Sequence, residues 1–120
     1  MAIVLNEPRA RACVTILDTD DEVLISAGTL AEALVVSATR GVQAEMTNLL
    51  ISFGFRVVPV TEASARMIGL AYQRWGKGMN AAGLNFGDCF AYQVAMDNNC
   101  SLLYVGNDFA KTDVPAALPA

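Results

Sequence analysis

Three acidic side chains in this 120-residue chain stand in apolar company. Glu32 lies within "TLAEALVV", Asp88 within "NFGDCFAY", and Asp108 follows the strand-like run "SLLYV" after a Gly-Asn turn. Burying an acid is costly unless it is paired or coordinates a metal. Each of the three also has an ordinary explanation. Thr29 and Glu32 match the capping box, in which the glutamate reaches back to the N-cap amide. Asp88 falls in the first turn of a helix, where free amides and the dipole favour a carboxylate. Asp108 suits a turn. Gathered in one cleft, the same carboxylates would repel one another and partly protonate. A divalent cation relieves that repulsion. Magnesium and manganese take oxygen ligands, keep several waters and need no histidine. Such a centre outlines metal-assisted phosphoryl chemistry. The acids of "DTDDE" (18–22) read instead as a solvated loop.

Composition narrows the alternatives. The chain has no histidine, which removes Ser-His-Asp and Cys-His nucleophile systems and His-ligated zinc or iron. Its three cysteines include no CxxC pair, so a disulfide framework or a zinc site is not expected. Cys89 has no base beside it in sequence and reads as a core thiol. A net charge of −4 does not suggest bulk electrostatic binding of nucleic acid. "GKG" (76–78) lacks phosphate-loop spacing, and Lys77 and Lys111 are weak candidates for touching a phosphate. Tyr72, Trp75, Phe90 and Tyr92 recur at helical spacing and read as packing residues. No run of about 18 apolar residues occurs, so a soluble, cytoplasmic protein is expected, with no membrane span.

The acids need elements to position them. Pro8 opens a helical pattern in which Ala10, Cys13, Val14 and Leu17 share a face. "VLIS" (23–26) predicts a short buried strand. A helix over 28–41 is expected, capped by Thr29 and stopped by Gly41, and a second runs from Val42 to Gly54. "FRVVPV" (55–60) predicts a strand, with Pro59 at its end or on a sheet edge. Thr61 can cap a helix carrying Ile68, Ala71, Tyr72 and Trp75, and an irregular loop (76–83) follows. A helix from Phe86 to Met96 and a strand over 101–105 complete the pattern. Strands alternating with helices give an α/β class with a mostly parallel sheet, whose ligands sit beyond the C-terminal strand ends. The domain is placed at residues 1–114, and 115–120, with two prolines, reads as a loose tail.

"LNFGDCFAYQVA" followed by "LLYVGNDFAKTDV" closely resembles the PIN-domain ribonucleases, specifically the VapC-type toxins of toxin–antitoxin pairs. "LISAGTLAEALVV" and "VVPVTEASARMIGLAYQRWGKG" fit the same family, and the resemblance runs from about Ile3 to Val114. It implies a three-layer α/β/α fold and a magnesium- or manganese-dependent endoribonuclease. It also implies an RNA substrate, a cognate antitoxin and a homodimer. The acidic cluster of the family falls on Glu32, Asp88 and Asp108 as catalytic metal-holding residues. Asn85, Asn107, Thr112 and Asp113 fall at supporting positions; many relatives carry Asp where this chain has Asn107.

One part of the family pattern is missing. Relatives open with a central strand ending in Asp-x-Ser, and that aspartate is a main metal ligand. Here "MAIVL" reads as the interior of the helix that should follow. The expectation is therefore a chain that lacks the first strand, with weakened metal binding and little activity. An upstream start, a shortened chain or a decayed gene copy would each produce this. The first is favoured because the other motifs show no erosion. The rival reading is an inactive PIN-like module that binds antitoxin as a decoy or regulator.

Overall fold

The computed structural model describes residues 1, 7–19 and 22–118. The element order is α1 (Ala10–Thr19), β1 (Leu24–Ser26), α2 (Ala27–Arg40), α3 (Gln43–Phe53), β2 (Arg56–Val58), α4 (Glu62–Trp75) and α5 (Phe86–Asp97), then a 3-10 turn at Phe109–Lys111. Local chemistry accounts for most boundaries. Gly41 and Gly54 end α2 and α3 in the left-handed conformation, with φ of 69° and 57°, which costs a glycine nothing. Thr61 and Ser64 form a reciprocal capping box at the start of α4. Asn85 and Asp88 form another at the start of α5.

Strand β1 runs parallel to β2, with Leu24 opposite Arg56, Ile25 opposite Val57 and Ser26 opposite Val58. Strand β1 passes straight into α2, and α2 and α3 pack on one another. The core proper lies between α4 and α5. Ile68 and Ala71 of α4 meet Cys89, Tyr92 and Ala95 of α5, and Leu84 and Val114 close the cluster. Leu84 is fully buried. It is also pinned by its main chain, donating to the Trp75 carbonyl and accepting from the Lys77 amide.

Three expectations change. Residues 101–105 do not form a strand: Leu102 alone makes a bridge, to Ala116. A strand needs a neighbour to hydrogen-bond. Among the described residues β1 has β2 on one edge and no partner on the other. Among the described residues, β1 and residues 101–105 line one cavity of about 880 Å³, together with Met1 and Glu7. Secondly, residues 115–118 of the expected tail are tied to the body. Leu102 donates to the Pro115 carbonyl, Ala117 donates to the Leu102 carbonyl, and Leu118 is buried. Thirdly, the acidic segment 18–22 divides. Asp18 belongs to α1, Glu22 pairs with Arg56 at 2.7 Å, and Asp20 and Asp21 lie outside the described residues. Most of "MAIVL", residues 2–5, lies outside them as well.

Candidate active site

The site is built where α2 crosses α5. The cap of α2 is Ser26, not Thr29: the Ser26 hydroxyl accepts from the Gly28 amide at 3.1 Å. Both residues can cap, and the one at the end of β1 does so. Glu32 is thereby released from the capping box and sits in the second turn of α2, exposed. Thr29 is left with a buried hydroxyl that has no hydrogen-bond partner among the described residues, and it lines the large cavity together with Glu32 and Asp88.

Two glycines let the helices approach. A Cβ on Gly28 of α2 would collide with Cδ1 of the Phe90 ring of α5 and lie 2.6 Å from its Cε1 and Cγ. Conversely, a Cβ on Gly87 of α5 would lie 2.6 Å from Cδ and 2.8 Å from Oε1 of Glu32. Each helix therefore lays a side chain into a glycine notch on the other. The Glu32 carboxylate comes to rest on the residue preceding Asp88.

Asp88 does cap α5, as its ordinary reading required. Its Oδ2 accepts from the Asn85 amide at 3.0 Å, and Asn85 Oδ1 accepts from the Asp88 amide at 2.8 Å. This fixes the carboxylate without neutralising it, and no cation pairs with it among the described residues. Burial pushes its pKa above 3.8, the Asn85 hydrogen bond pulls it down, and the Asp108 charge pushes it up again. Asp108 thus faces Asp88 electrostatically. It opens the 3-10 turn without a side-chain capping bond, so capping does not account for its carboxylate. Burial and then the Asp88 charge raise the Cys89 thiol, which keeps it protonated and un-nucleophilic.

The supporting positions separate into two groups. Asn85 frames Asp88 directly. Thr112 braces the 3-10 turn, its hydroxyl donating to the Phe109 carbonyl at 2.7 Å and accepting from the Val114 amide at 3.2 Å. Asp113 accepts from the Tyr92 hydroxyl at 2.6 Å and pairs with Arg74 at 3.4 Å, while Trp75 Nε1 donates to the Tyr92 oxygen at 3.0 Å. Burial first, then the bond to Asp113, raises the Tyr92 phenol. These links anchor the turn that carries Asp108 to α4 and α5. Asn107, by contrast, lines a separate hollow of about 250 Å³ with Arg9 and Gly106. Lys111 reaches the Ala81 carbonyl at 3.5 Å.

Among the described residues no three His, Cys, Asp or Glu side chains stand close enough to enclose one ion. Glu32 lies in its notch next to Asp88, and the Asp108 charge acts on Asp88. Oxygen donors of this kind fit a hard cation that keeps most of its waters. The cradle at Gly87 and the unpartnered Thr29 hydroxyl on the same cavity are what a polar occupant would use.

The PIN domain family matches residues 1–115. The chain is 38% identical over 122 residues to VapC ribonuclease Mb0625 of Mycobacterium bovis, covering 98% of this chain and 92% of the relative. It is 36% identical over 118 residues to ribonuclease VapC36 of Mycobacterium tuberculosis, covering 95% and 85%. It is 34% identical over 119 residues to ribonuclease VapC of Mycolicibacterium smegmatis, covering 97% and 92%. The chain belongs to the PIN-domain family, and within it to the VapC type. Sequence reasoning named the acids but missed Gly87 and Thr29. A glycine inside a helical pattern signals close approach, and Gly87 in "FGDC" carried that signal.

Proposed function

We propose that this chain is an endoribonuclease toxin of a toxin–antitoxin pair, dependent on magnesium or manganese. The observation that supports the reading is the Glu32 carboxylate lying against Gly87, the residue before Asp88, with Asp88 held by Asn85 and disfavoured as an anion by burial and by the Asp108 charge. Glu32, Asp88 and Asp108 would hold the ion. When bound, it would supply charge neutralisation at an RNA phosphate and a more acidic water. The residues themselves contribute position. Asn85 holds Asp88 in one orientation, Gly87 admits Glu32, and Thr112 and Asp113 anchor the turn bearing Asp108. A cation held by these carboxylates would also offset the repulsion between RNA and a chain of net charge −4. A cognate antitoxin and a second copy of the chain are the proposed protein partners. Exposed apolar residues on α2, α3 and β2 (Leu34, Val35, Ile51 and Val57) offer surface for them.

Activity in these 120 residues is proposed to be weak. Among the described residues, Glu32, Asp88 and Asp108 do not form a group of three that encloses one ion. The same observation favours the second reading, an inactive module that binds antitoxin. Incubation with a mixed RNA pool and Mg2+ tests both. Expected is slow cleavage, lost in Asp88→Asn. Antitoxin capture with no cleavage would establish the module instead. Robust cleavage by the 120-residue chain would contradict the proposed impairment.

A further inference from the structure

We infer that Gly87 is a positioning residue, whose missing side chain sets the Glu32 carboxylate against α5 beside Asp88. The inference rests on the proposed role of the acids. The α2–α5 crossing contains two glycine notches with unlike contents. Gly28 receives the rigid Phe90 ring, and Gly87 receives a carboxylate at the end of a flexible chain. A methyl at Gly28 would collide with packed aromatic surface. The three atoms nearest a methyl at Gly87 would all belong to the movable Glu32 side chain. Gly87 also lies within the first turn of α5, where alanine is the better helix former. Helix stability alone would therefore favour alanine there. The glycine has one visible use, to make space for Glu32. Displacing Glu32 would leave Asp88 in its cap and Asp108 on its turn, so the fold would persist while one carboxylate left the site.

The experiment is a double-mutant cycle on the full chain with Gly87→Ala, Glu32→Ala and both together. Urea midpoints are measured by Trp75 fluorescence, without metal and across a MnCl2 titration. Without metal, Gly87→Ala is expected to raise the midpoint more in the Glu32→Ala background than in the wild type, because only the wild type has a carboxylate to evict. With Mn2+, Gly87→Ala is expected to weaken apparent affinity about tenfold or more, and to add nothing once Glu32 is gone. Gly28→Ala serves as the packing control, lowering the midpoint in every background. Equal gains from Gly87→Ala in both backgrounds, or undiminished Mn2+ affinity in the single variant, would overturn the inference. A wild type with no Mn2+ response would remove the metal reading and the functional role of Gly87 with it. The metal-free cycle would then still report whether Glu32 and Gly87 touch.

Discussion

Asp88 offers the sharpest test, because its carboxylate is both useful and uncomfortable. One oxygen accepts the Asn85 amide, while burial and the Asp108 charge disfavour the anion. Asparagine keeps an acceptor for the Asn85 amide and removes the charge; alanine removes both. Relative to Asp88→Asn, Asp88→Ala therefore loses a hydrogen bond worth about 1 kcal/mol, a Tm lower by about 3–6 °C for a domain of this size. Asp88→Asn is expected to raise Tm at pH 7. The sign follows from linkage. A carboxyl whose pKa in the folded state exceeds its ordinary 3.8 binds its proton more tightly when folded. Stability then falls as pH rises through the raised value, and the charge penalty is absent below 3.8. The gain from Asp88→Asn should therefore appear at neutral pH and fade as pH falls toward 3.8. Trp75, the one tryptophan, reports unfolding in urea from pH 3 to 8. An Asp88→Asn chain as unstable as Asp88→Ala at pH 7 would refute the reasoning, since it would mean that the anion is favourably paired.

Three further substitutions probe the frame around the site. Leu84→Ala opens a cavity at a fully buried position and should cost about 3–5 kcal/mol, seen as a large fall in urea midpoint. Tyr92→Phe strips the hydroxyl shared by Trp75 and Asp113, and should cost about 1–3 kcal/mol with a shift in Trp75 emission. Thr29→Val replaces a buried hydroxyl that has no partner by a shape-matched methyl, and should stabilise the metal-free chain by about 1 kcal/mol; destabilisation would reveal a partner for the hydroxyl.

What could be read from sequence was what local chemistry decides. Gly41, Gly54, Thr61 and the turn before Phe86 end or begin helices for reasons contained within a few residues, and they do so in the structure. The cap of α2 shifted by three residues because Ser26 and Thr29 are equally able to cap. Which one acts depends on where β1 stops. The run at 101–105 has strand composition, yet pairing is a property of the neighbour, and the neighbouring edge is not filled by any described residue. Residues 115–118 looked loose from their prolines but pair with Leu102, more than ten positions away. In the site, the residue types of Glu32, Asp88 and Asp108 were legible. The glycine notches were not, because each joins residues more than fifty positions apart.

The central claim is that Glu32, Asp88 and Asp108 share a divalent ion. Calorimetric titration of the full chain with MnCl2 tests it most directly, alongside a chain carrying Glu32→Gln, Asp88→Asn and Asp108→Asn. Expected is saturable binding of one ion by the wild type and none by the triple variant. Equal binding by both chains, or none by either, would contradict it.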